Sequence, residues 1–292
     1  MSPKFPQASP SVHSILKAQV QQYFDSLGKK PTGNHQLYIK AIVLVLALGG
    51  VYTHLVFFTP HWYWGLMECA FLGMVISGVG FNVMHDGSHG SFSKYKWLNK
   101  FAAWSLDFLG GNAFMWNMKH NMIHHSFTNI DGVDDDINVG ILMRMNEHQR
   151  KFKMHRFQHW YFWILYMLLY IYWIFYTDYQ KYFSGKIGNV SLKKMALKDH
   201  FSFWAGKLLH AAIYILVPIM FVGFLPWLLG FLTAGLVAGF TLSIVFQLAH
   251  TVEHTHFPKA CEESNRLPDE FAIHQIKTTA NFATKNKFIS WL

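Results

Sequence analysis

Residues 41–58, AIVLVLALGGVYTHLVFF, and residues 62–84, WYWGLMECAFLGMVISGVGFNVM, carry no lysine or arginine and are separated only by residues 59–61. At about 1.5 Å per residue, runs of this length suit a hydrocarbon core of about 30 Å. The pattern returns at residues 208–224, LLHAAIYILVPIMFVGF, and 226–249, PWLLGFLTAGLVAGFTLSIVFQLA, joined at residues 225–226. The four runs read as two helical hairpins crossing a membrane. The rest of the composition agrees. Of 292 residues, 52% are hydrophobic and only 14% charged, against about 25% charged in ordinary soluble domains. Two distant cysteines, Cys69 and Cys261, offer neither a disulfide framework nor a thiolate metal site.

The net charge of +9 acquires a meaning once the hairpins are drawn. Every lysine and arginine lies in residues 1–40, 85–207 or 257–292. Two hairpins put all three regions on one side, which the positive-inside rule makes cytoplasmic. The charge is therefore a topology signal and an attraction to anionic lipid. No basic patch belongs to a recognisable nucleic-acid module, so nucleic acid is not expected as a partner. Residues 159–177, HWYFWILYMLLYIYWIFYT, hold ten aromatic residues and are long enough to span. A single crossing there would carry Lys181, Lys186, Lys193, Lys194 and Lys198 outside, so the segment reads as an interfacial or re-entrant helix. Residues 11–27 read as a short amphipathic helix between Pro10 and Gly28, with Val12, Leu16, Val20, Tyr23 and Leu27 on one face.

The expected fold is thus all-α and integral to the membrane: four transmembrane helices as two hairpins, one aromatic interfacial or re-entrant helix, and a cytoplasmic helical cap. Residues 1–36 form a cytoplasmic amphipathic segment, 37–256 the membrane domain, and 257–292 a cytoplasmic C-terminal segment.

Histidine is the compositional anomaly, with 18 against 16 Asp and Glu. HDGSH at 85–89 ends the second run and sets His85 and His89 four apart, on one helix face. Alone this spacing fits a polar helix end equally well. HNMIHH at 120–125 repeats the spacing in His120 and His124 and adds His125, which an α-helix turns about 100° away. QLAHTVEHTH at 247–256 ends the last run, with His250 and His254 again four apart and His256 readable as a solvated loop residue. The hairpin count brings all three motifs to the same side. Paired Glu-x-x-His motifs are missing, as is the HExxH pattern of zinc proteases. More than five imidazoles exceed one tetrahedral zinc site and suit iron, most simply two ions.

HDGSH, followed about thirty residues later by HNMIHH after a hydrophobic hairpin, resembles the first two histidine boxes of the membrane fatty-acid desaturases. HHSFTNIDGVDDDIN at 124–138, Gln247-x-x-His250, and His274-Gln275 with Thr278, Thr279 and Asn281 resemble the front-end, linoleoyl-CoA-desaturase-like group. The resemblance covers nearly the whole chain. It implies oxygen-dependent removal of two hydrogens from adjacent methylenes, leaving a cis double bond, at a di-iron centre. His85, His89, His120, His124 and His125 are the implied ligands, then His250, with His254 and His274 as further candidates. The family's third box, His or Gln, two residues, then His-His, does not occur, and Thr251 follows His250. The chain is therefore expected to be C-terminally incomplete and to lack at least two ligands.

The resemblance further implies a fatty acyl-CoA or acyl-lipid substrate, dioxygen, and a separate iron–sulfur or haem electron donor. The acyl chain is expected in an apolar tunnel, for which Trp104, Phe108, Gly110, Gly111 and Phe114 are candidates. Asp86 is a candidate to orient His85, while Asp134, Asp135 and Asp136 could steer a partner or form a solvated loop. A hydroxylase or ketolase of the same superfamily, a zinc membrane hydrolase, and a non-enzymatic relay using His54, Glu68 and His210 are the competing readings.

Overall fold

A computed structural model describes residues 3–287 and Trp291. The first helix, α1 (Val12–Ser26), starts where the Ser11 hydroxyl accepts from the Ser14 amide at 3.1 Å. Its apolar face is exposed, and Val12 donates to the Glu270 carboxylate at 2.8 Å.

Among the described residues, five helices are long and apolar enough to cross a membrane: α2 (His35–Phe58), α3 (Trp62–Ser88), α6 (Lys153–Ser184), α7 (Leu197–Val222) and α8 (Phe224–His250). Between them lie α4 (Lys96–Phe108) and α5 (Ala113–Trp116), the latter prolonged through Asn117–His124, and α9 (Phe271–Thr278) follows. The only sheet among the described residues pairs Lys186–Ile187 with Val190–Ser191. The first hairpin turns at Thr59, with φ +43°, just before Pro60. The second turns at Gly223, with φ +86°, two residues before the connection expected at 225–226. Glycine takes that conformation without steric cost. Pro226 instead falls in the first turn of α8, where a missing N–H breaks no intrahelical bond.

The centre of the bundle is built from small residues. Gly73 of α3 faces the backbone of Ala234 and Ala238, and Gly239 of α8 faces the carbonyls of Tyr166 and Met167. Ser77 Oγ donates to the carbonyl of Ala238 at 3.2 Å, and Ser243 Oγ to that of Tyr166 at 3.2 Å. Such close approach is how helices associate in lipid, where burial of apolar side chains gives little driving force. α3 and α8 lie side by side, and both end at histidines. α6 is attached to the polar layer at both ends. Gln158 donates to the carbonyl of Arg144 near one end, and Lys181 pairs with Asp135 at 3.2 Å near the other.

Candidate metal centre

The two histidine motifs sit in helix of unusual pitch. Gly80–His85 and Asn117–His124 are π-helical turns inserted at the ends of α3 and α5. Such turns are rare and concentrate at functional sites. In the second, the His125 amide donates to the carbonyl of His120, five residues back, at 3.0 Å. The wider turn swings His125, which an ideal α-helix would set about 100° away, in toward His120. Their Nε2 atoms approach to 3.1 Å, and His85 Nε2 lies 3.2 Å from His120 Nε2. His85, His89, His120 and His125 place one nitrogen each within 4.8 Å of one another, and His120, His124 and Asp136 form a second such group. His120 belongs to both. The His250 ring packs edge-on against His124, with centroids 4.7 Å apart.

These nitrogens cannot satisfy each other. A neutral imidazole has one N–H and one lone pair, and three Nε2 atoms meet around His120 with no other acceptor or donor recorded between them. A cation accepts all of those lone pairs together, and ligands about 2.1 Å from one ion lie roughly 3 Å apart. The outer nitrogens are already occupied in the way that fixes ligand tautomers. His124 Nδ1 stands 3.0 Å from Asp134 Oδ2 and 3.3 Å from Asp136 Oδ2. His250 Nδ1 donates to the carbonyl of Thr278 at 3.2 Å. Residue type, spacing and tautomer all fit a metal centre.

The family described as Fatty acid desaturase matches residues 62–292 of this chain. The chain belongs to the fatty acid desaturase family. It is 31% identical over 282 residues to the sn-1 linoleoyl-lipid 6-desaturase of Arthrospira platensis, covering 94% of this chain and 75% of that protein. The enzyme of the same name from Synechocystis sp. is 32% identical over 278 residues, covering 95% and 77%. The acyl-lipid (8-3)-desaturase of Physcomitrium patens is 31% identical over 278 residues, covering 94% of this chain and 58% of its own.

In this desaturase the histidines outside the first two motifs diverge. His250 reaches the cluster. His254 does not: it is exposed, has φ +74°, and lines a separate polar pocket with His256. His274 lies in the wall of that pocket, buried, with Nε2 unpartnered and its ring 5.2 Å from Phe5. Neither is in the two groups that bring ligand atoms together. Trp104 is exposed, and Phe108 packs on Tyr214.

The electrostatics keep most of the cluster neutral. Burial and the facing His85 push His89 down to about 4. Burial outweighs Asp136 and lowers His120 to about 4, and burial with the surrounding imidazoles lowers His125 to about 3. His124 is the exception. Burial opposes its charge, but Asp136 and Asp134 together hold it above the ordinary imidazole value. Burial would raise Asp136, yet Lys119 and His124 hold it well below the carboxylate range.

Several supporting residues carried no sequence signal of their role. Of the two readings open for the run 134–136, the solvated loop gives way: Asp134 is buried on His124, and the basic Lys119 joins Asp136 at 2.7 Å. Asn129, with φ +60°, donates to the carbonyls of His250 and His256 at 2.7 and 3.2 Å. It clips the second motif to the end of α8. Gln275 donates to the carbonyl of His125 at 3.0 Å. Asp107 accepts from Asn112 Nδ2 at 2.7 Å and from the Ala113 amide at 3.1 Å, fixing the start of the helix that bears His120.

Proposed function

We propose that this chain is an oxygen-dependent acyl-lipid desaturase whose histidine cluster holds two iron ions and which introduces a cis double bond into a fatty acyl chain. The observation that carries the reading is the meeting of Nε2 atoms from His85, His120 and His125, with carboxylates and a carbonyl already on the outer nitrogens of His124 and His250. An unactivated methylene offers no handle for acid–base catalysis, so bound iron supplies the oxidising power with dioxygen and electrons from a separate iron–sulfur or haem protein.

The chain's own residues supply position. His85, His89, His120, His124, His125 and His250 present lone pairs inward, with Asp134 holding His124 and the Thr278 carbonyl holding His250. Trp116, stacked on His120 at 4.2 Å, closes the membrane side of the cluster with an apolar surface. Lys119 offsets the acidic run beneath it. His254 and His274 hold places outside this shell. The relatives' names, linoleoyl-lipid and acyl-lipid, favour an acyl chain presented by a bilayer lipid over one presented by acyl-CoA.

The distribution of lysine and arginine supports a cytoplasmic site. The attachment of both ends of Lys153–Ser184 to the polar layer supports four crossings, with that helix entering the bundle beside α8 as a re-entrant element.

The test is to load the purified chain with Fe(II) without oxygen and count iron per chain. Acyl profiles are then compared in a host supplied with defined fatty acids. Two irons per chain and a new double bond support the reading. An oxygenated carbon would assign a hydroxylase or ketolase, and zinc in place of iron a hydrolase.

A further inference from the structure

At the end of the bundle remote from the histidines lies a second site. The helices line a half-open apolar cavity of about 280 Å³ that reaches both hairpin connections at Thr59–Pro60 and Leu225–Pro226. Its walls include Tyr52, Leu72 and Phe231. One wall residue does not match the rest. His210 is buried, 4% exposed, and its Nε2 has no partner. A buried polar atom left unpaired is costly and uncommon.

The orientation of the ring says what is missing. Gly110, with φ +95°, packs so closely that a side chain there would meet the His210 ring at 2.7 Å, and Tyr214 stacks on the ring at 4.9 Å. Nδ1 lies 3.4 Å from the carbonyl of Phe108, which can only accept, so Nδ1 carries the proton. In the neutral ring Nε2 is then an acceptor. Its missing partner is a donor. Three neighbouring donors are already engaged: Tyr52 donates to the carbonyl of Ile213 at 2.6 Å, Tyr170 to that of Leu109 at 2.5 Å, and Trp227 to that of Tyr214 at 2.8 Å. The walls are almost wholly apolar and suit a hydrocarbon better than a water, which needs two to four polar partners. The apolar walls reject a charged headgroup.

We propose that this cavity binds a neutral single-chain lipid bearing one hydroxyl, whose O–H donates to His210 Nε2 while the hydrocarbon fills the apolar space. The site uses no residue of the histidine cluster and rests on neither the metal nor the desaturase reading.

The test is equilibrium binding of tritiated 1-hexadecanol to the purified full chain in detergent, with methyl hexadecanoate as competitor. The ester has the same chain and accepts but cannot donate. Saturable binding near one per chain is expected, with the ester about 10-fold weaker. His210→Leu should bring the alcohol down to the ester's level. Gly65→Leu, at a wall position where an added carbon would meet only Pro60 at 3.7 Å, should weaken both ligands alike. His120→Ala should change neither. Equal binding of alcohol and ester by the unaltered chain overturns the proposal, whether or not His210→Leu folds. Unchanged alcohol binding by folded His210→Leu, or no saturable binding at all, overturns it as well.

Discussion

His120 and His254 each stand four residues from another histidine, and their fates are opposite. His120 sits in a π turn, buried, in reach of four other imidazoles. His254 lies one turn beyond the end of α8, in a left-handed conformation, exposed. Helical spacing brings two side chains to one face only while the helix lasts. α8 ends at His250, and the four-residue relation to His254 carries no geometry.

The contrast can be broken most directly by substitution. His120→Ala removes the one imidazole shared by both ligand groups. It should lose most bound iron and about 10²-fold or more of desaturation, read by metal analysis and product profile. Asp134→Asn leaves all ligands in place but replaces the carboxylate behind His124. Iron affinity should fall about 10-fold or more, with the fold retained.

A milder probe is acid. Imidazoles held down to about 4, 4 and 3 at His89, His120 and His125 stay neutral in the folded chain while their unfolded counterparts, near 6.5, take up protons. The unfolded state then binds more protons. Metal-free stability should therefore be highest above 6.5 and decline as pH falls toward 4, measured as Tm across that range. His254→Ala, by contrast, should leave iron content and product unchanged. An iron loss matching that of His120→Ala would erase the distinction drawn between the two residues.

Much of this was readable in advance from particular residues. Uncharged runs and the placement of lysine and arginine announced the hairpins, and the spacing of His85, His89, His120 and His124 announced a shared site. The turn that brings His125 to 3.1 Å from His120 was not readable, because a π turn depends on the tertiary setting and has no residue code. Asp134 looked like one member of a solvated acidic run, since nothing local marks it as buried. Asn129 joins residues more than 120 positions away, which no periodicity reports. Residues 159–177 were correctly seen as apolar and aromatic. The observed helix extends over Lys153–Ser184 and is long enough to span, because hydropathy measures affinity for lipid and not direction of travel.

The glycines at 73 and 239 have a consequence beyond packing. Where backbones touch, neighbouring rods cannot slide without collision, so the bundle is keyed like a ratchet at a single register. His85 and His250 are carried on two of those rods. Their relative height, and hence whether they can serve one centre, is set deep in the hydrophobic interior by residues with no side chain at all.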